Sequence, residues 1–223
     1  MEALVRFVQT ELAKRADTNK AAPMAAYMRT AMPFYGVASP RRREVAKEMR
    51  ARFEPTSNEE YRQQVLTLWS LPHREEKYLA LDLAVDNRKF ITLDNLDLYE
   101  RLIREGQWWD LVDEVAARLV GKVWLERRQQ VTPVMSGWID DPDLWIRRTA
   151  LIGQLGHKQQ TDASLLFDFC SRRAHETDFF IRKAIGWALR QYAKTDPDAV
   201  RGFLTAHGEK LSGLSRREAA KHL

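Results

Sequence analysis

Apolar residues return every three or four positions along most of this chain, the spacing that lines one face of an α-helix. The opening stretch MEALVRFVQTELAKRADTNK shows the pattern, its apolar positions broken by charges in a way that predicts an amphipathic helix and not a secretion signal. No run alternates apolar and polar residues between turn signals, so no strand is predicted and the fold class is all-α. Helix starts are expected at Ser39-Pro40, Asp141-Pro142 and Asp196-Pro197, where a side chain able to cap precedes a proline suited to a first turn.

The pattern also repeats. Steps of 35 residues from Val37 give VASPRRREVA at 37, PHREEKYLAL at 72, QWWDLVDEVA at 107, PDLWIRRTAL at 142, TDFFIRKAIG at 177 and a looser SGLSRREAAK at 212. Each copy opens on turn or capping chemistry or an aromatic and ends apolar, as one helix of a two-helix unit would. A period of this length predicts stacked helical hairpins that bury their apolar faces against neighbouring units. The expected architecture is a curved solenoid forming one continuous domain over residues 1–223.

In such a stack, equivalent positions line up along one face. One column runs Arg43, Tyr78, Asp113, Arg148, Lys183 and Glu218; its neighbour runs Arg42, Lys77, Val112, Arg147, Arg182 and Arg217. Cations recurring once per repeat form the ladder expected for regularly spaced DNA phosphates. Arg and Lys also populate ordinary solvated faces, and helical repeats bind acidic proteins as well. The anomaly is Asp113, a carboxylate set centrally among the cations.

Composition adds a modest push in the same direction. Lys and Arg number 36 against 31 Asp and Glu, a net charge of +5 that favours an anionic partner. No stretch is long and apolar enough to span a membrane, and the chain is expected to be cytoplasmic. The single cysteine, Cys170, cannot form an internal disulfide and sits in the apolar run LLFDFC as a small hydrophobe. His73, His157, His175, His207 and His222 are too scattered for zinc, and GQLGHK is neither a P-loop nor a dinucleotide fingerprint. The cluster Asp140, Asp141 and Asp143 reads as helix capping rather than a calcium loop. No metal and no cofactor are therefore expected, and Trp69, Trp124, Trp138 and Trp145 read as core.

Within QWWDLVDEVAARLV, read as a helix, Trp109 and Asp113 stand four residues apart and share a face. Trp108 is turned about 100° away, free to pack inward while Trp109 faces the groove. QWWDLVD, LWIRRTA, FFIRKAIGWALRQYAKT and LSRREAAKHL, with the upstream run PMAAYMRTAMPFYGVASPRRREV, resemble the bacterial alkylpurine DNA glycosylases of the AlkD type, built from HEAT-like repeats. The resemblance extends from about Pro23 to Leu223. It implies an active-site cleft of Trp109, Asp113 and Trp187 with Arg148 beside them, and a lesion-bearing duplex held with help from Tyr27 and Arg190. It also implies that the lesion stays in the duplex, where other glycosylases flip the base out.

The chemistry suits these residue types. A purine alkylated at N3 or N7 is cationic and leaves as a neutral base, so no general acid is needed. Cleavage develops oxocarbenium character at the sugar, which a nearby carboxylate stabilises. The Trp109 and Trp187 faces add cation–π attraction, Asp113 orients or activates the attacking water, and Arg148 is expected to favour ionised Asp113. No lysine nucleophile is evident beside Asp113, so base release leaving an abasic site is expected, by a monomer acting on double-stranded DNA. The alternative is a non-catalytic helical-repeat binder of damaged or branched DNA, and a protein-binding scaffold is a third reading.

Overall fold

A computed structural model, describing residues 1–221 and 223, bears out the all-α expectation: its regular elements are helical, with no strand among the described residues. The helices gather into two compact units, Met1–Asn95 and Leu96–Leu223. None of the helices described is long and apolar enough to cross a membrane.

The first unit holds α1 (Glu2–Lys14), α2 (Thr18–Met28), α3 (Ser39–Arg52), α4 (Asn58–Trp69) and α5 (Arg74–Asp86). Helix α1 packs on α3, and α5 packs on both α3 and α4. Helix α2 buries no residue, so its Tyr27 is left 74% exposed. The chain between α2 and α3 is held by a buried carboxylate: Glu75 accepts from the backbone N–H groups of Tyr35, Gly36 and Val37 at 3.0, 2.9 and 3.0 Å. Three donors that lie outside any helix are thereby satisfied.

The second unit contains α6 (Leu96–Gly106), α7 (Trp109–Glu114), a π-helical segment (Val115–Val120), α8 (Gly121–Glu126) and α9 (Arg128–Trp138). It continues through α10 (Leu144–Ile152), α11 (Ala163–Arg172), α12 (Phe179–Ala193), α13 (Pro197–His207) and α14 (Gly213–Ala219). Helix α10 touches both α7 and α12, and α12 is packed closely against α14, so the second helices of successive hairpins form one layer of a HEAT-like stack. Gly186 permits the last of these contacts: a Cβ there would lie 2.5 Å from Glu218 Cβ and 2.9 Å from the Ser215 carbonyl oxygen.

The 35-residue register has a physical counterpart. Helices α3, α5, α7, α10 and α12 each begin two residues after the start of a sequence copy, and α14 begins one residue after its own. Two of the three expected helix starts need adjustment. Asp196 does cap α13, accepting from Ala199 N at 2.9 Å. Asp143, not Asp141, caps α10, accepting from Trp145 N at 2.7 Å, because Pro142 carries the chain one step further before the helix turns. Ser39 lies inside α3, whose N-cap is Ala38 without a side-chain bond. The expected core tryptophans Trp69, Trp124, Trp138 and Trp145 are buried, as is Cys170.

Candidate active site

The chain enters α7 by an unusual route. Gln107 has φ +41°, a left-handed conformation that costs a non-glycine residue about 1 kcal/mol or more. Trp108 follows as an extended N-cap, and the helix proper begins at Trp109. Trp108 is thus not a helical residue rotated away from Trp109, as the sequence suggests, but stands outside the helix. Its ring lies 5.2 Å from Phe180 and 6.0 Å from Trp145, with Trp145 and Phe180 4.9 Å apart. Trp109 and Asp113 remain one turn apart on α7, both partly exposed.

Asp113 is forked by Arg148 of α10, Nε to Oδ1 at 2.7 Å and Nη2 to Oδ2 at 2.8 Å. The remaining terminal nitrogen, Nη1, donates to the Phe180 carbonyl of α12 at 2.6 Å. The guanidinium also lies 6.0 Å from the centroid of the Trp187 ring. Arg148 therefore meets both Asp113 and Trp187, the three residues contributed by successive helices of one layer.

One expectation changes here. Arg148, placed by the sequence in an open cationic row, is 3% exposed, because the bidentate bond to Asp113 and the Phe180 carbonyl use its donors inside the protein. Arg148 does favour ionised Asp113 through its hydrogen bonds and charge, as expected, but burial outweighs it and raises the carboxyl above its ordinary value.

The same column shows a second pairing one repeat apart. Lys183 Nζ meets Glu218 Oε1 at 2.8 Å, and Arg190 Nη1 donates to Glu218 Oε2 at 2.7 Å. Lys183 and Lys221, through hydrogen bonds and charge, hold the Glu218 carboxyl down at about 2. Lys183 and Arg190 are thus partly exposed but already engaged. In the neighbouring column, Arg147 pairs with Glu176 at 2.9 Å, while Arg42 pairs with Asp82.

Unpaired cations lie elsewhere. On α3, Arg43, Lys47 and Arg50 occupy positions i, i+4 and i+7, so they share one face; all three are exposed and form no ion pair among the described residues. Arg43 was expected from its column. Lys47 and Arg50 were missed, although their helical spacing from Arg43 was there to be read.

No group of three or more potential metal ligands occurs among the described residues. Of the aspartates once weighed for calcium, Asp140 binds Arg172 and Arg173, Asp141 binds Arg104 at 2.8 Å, and Asp143 caps α10. A cavity of about 200 Å³ in the second unit is lined by Leu151, Gln154, Tyr192 and Lys194 among others, and takes no wall from Trp109, Asp113 or Trp187.

The family model described as DNA alkylation repair enzyme matches residues 8–223. Among solved structures, the chain is similar to one described as "Predicted DNA alkylation repair enzyme from Enterococcus faecalis", with a TM-score of 0.86 and 30% identity over 94% of this chain and 97% of that one. AlkD2 and smu.31, both from Streptococcus mutans, share the fold at 15% identity, with TM-scores of 0.64 and 0.62. Each covers 81% of this chain, and the matches span 89% of AlkD2 and 92% of smu.31. No curated protein matches the sequence. With the helical hairpins, the 35-residue register and a match over nearly the whole length, the chain belongs to the family of DNA alkylation repair enzymes.

Proposed function

We propose that this chain is a monofunctional DNA glycosylase that hydrolyses the N-glycosidic bond of cationic N3- and N7-alkylated purines in duplex DNA and leaves an abasic site. The observation that carries the reading is Asp113: a carboxylate whose orientation is fixed by a bidentate arginine that itself lies 6.0 Å from the Trp187 ring, with the Asp113 side chain 16% exposed. That open face leaves the carboxylate reachable from solvent. As the glycosidic bond lengthens, positive charge moves from purine to sugar, and an anion whose position is already set stabilises that charge without reorganising. Trp109, one turn before Asp113, and Trp187 supply π faces suited to a cationic base or sugar.

Release of the base alone accords with the surroundings. Lys183, the lysine in the Asp113 column, is engaged by Glu218 in an ion pair and so is not directed at a substrate as a nucleophile. Water is then the attacking group, with Asp113 as the base that orients it.

The test is direct. Purified protein, with no added metal or cofactor, is incubated with duplexes carrying N7-methylguanine, and abasic sites are scored. Release far above the spontaneous rate is expected; a rate equal to that of DNA alone would overturn the assignment.

Phosphate contacts in this reading fall to cations with charge to spare, Arg43, Lys47 and Arg50 on α3, with Tyr27 on α2 exposed to contact the duplex. Replacing Lys47 and Arg50 together by alanine should reduce the slope of log affinity against log salt by about 2, since each neutralised phosphate contributes close to one unit. Titration of undamaged duplex at several salt concentrations measures this, and an unchanged slope removes α3 from the DNA-binding surface.

A further inference from the structure

We propose that Trp108 is a positioning residue for the Asp113–Arg148 pair, acting through Phe180; the inference rests on the glycosylase reading above. The geometry points to it because three contacts and the chain of α7 close a ring. Trp108 grips the Phe180 side chain, with centroids 5.2 Å apart and planes at 67°. The Phe180 carbonyl takes Arg148 Nη1 at 2.6 Å. Arg148 forks Asp113 at 2.7 and 2.8 Å. Asp113 then lies on the helix whose N-cap is Trp108 itself.

A rigid planar guanidinium fixed at its third nitrogen can present its fork in one direction only. The place of Phe180 therefore sets the angle at which Arg148 meets Asp113. That place is set by an aromatic wall drawn from three successive hairpins: Trp108 before α7, Trp145 on α10 and Phe180 on α12. Trp108 reaches the wall because Gln107 adopts φ +41° and Trp108 itself is extended, so its ring is directed away from the course of α7. Strain of this kind persists where the surroundings over-determine it.

What Trp108 supplies is ring surface. Its Nε1 is buried and makes no hydrogen bond among the described residues. Loss of the N–H therefore matters little, whereas loss of the ring leaves a void into which Phe180 can move. Trp109, the next residue, is a proposed contact to the substrate, so one peptide unit joins the support to the reacting face.

The experiment compares Trp108→Ala, Trp108→Leu and Trp108→Phe with the native chain in three measurements. Single-turnover excision of N7-methylguanine should fall by about 10- to 100-fold in the alanine variant, the scale of small misplacements at a reacting centre. Affinity for undamaged duplex should stay within about twofold, because phosphate contacts lie elsewhere. The Asp113 carboxyl, followed by ¹³C NMR titration, should move to higher pH as the grip of Arg148 loosens, and the acid limb of the excision profile should move with it. Phenylalanine should restore both readouts almost fully, with leucine in between.

An unchanged or downward Asp113 midpoint in folded Trp108→Ala, or a phenylalanine variant as impaired as alanine, would overturn the positioning role. Should the alanine variant fail to fold, the leucine variant carries the same test. The NMR titration requires no turnover, so a native chain that excises nothing sinks the glycosylase reading while the Asp113 midpoint still decides the role of Trp108.

Discussion

Asp113→Asn is expected to slow excision of N7-methylguanine by about 10²- to 10³-fold, the loss typical of removing one preorganised electrostatic group from a reacting centre. Asparagine keeps the shape of the side chain and can still accept a hydrogen bond from Arg148, but Arg148 is left buried without its counter-charge, so some stability is lost and the rates are compared on folded protein; what vanishes at the site is the negative charge facing the sugar. The pH profile adds a second signature. Burial raises the Asp113 carboxyl above its ordinary value, and its ionised form is the active one. The native rate, corrected for spontaneous depurination, should therefore rise with pH through that elevated midpoint and level off above it. In Asp113→Asn the residual rate should show no such limb. A native profile flat down to the ordinary aspartate range would detach the carboxylate from the chemistry.

Arg148→Ala is expected to act mainly on stability. Removing one member of a buried, hydrogen-bonded ion pair leaves an uncompensated charge and typically costs about 3–5 kcal/mol, here with the Phe180 carbonyl also losing its donor. Chemical denaturation should show the midpoint falling with little change in slope. Excision should fall as Asp113 loses its orientation. The salt dependence of binding to undamaged duplex should stay within about half a unit of the native slope, because a residue 3% exposed has little reach to a phosphate. A full unit lost from that slope, with stability intact, would return Arg148 to the DNA surface.

How far the sequence reached is clearest at this residue. The 35-residue register placed Arg148 one repeat after Asp113, and the structure brings the two together across that interval. The spacing could not say whether opposite charges one repeat apart face solvent or each other; that depends on how closely α7 and α10 approach, which tertiary packing decides. The same ambiguity covered Lys183 and Glu218, also one repeat apart and also joined. Helix starts were legible to within two residues because capping side chains and prolines mark them locally, and Asp141 lost its expected role only because Asp143 stood ready two residues on. Gln107 carries no glycine or asparagine signal for its positive φ, so the exit of Trp108 from the helix went unread. On α3, the reading by columns favoured Arg43 over Lys47 and Arg50, which only the 3.6-residue period brings into view.

The π-helical segment Val115–Val120 carries a consequence for how such proteins diverge. A wide turn takes in one residue more than an α-turn, so it absorbs the extra residue without rotating the helices on either side. The aim of Asp113 relative to α8 is therefore buffered against a change of length at this point. Loss of a single amino acid between Val115 and Val120 would close the wide turn into an ordinary α-turn and leave the carboxylate directed as it is. The same loss in a regular helical turn would swing the preceding residues by about 100°.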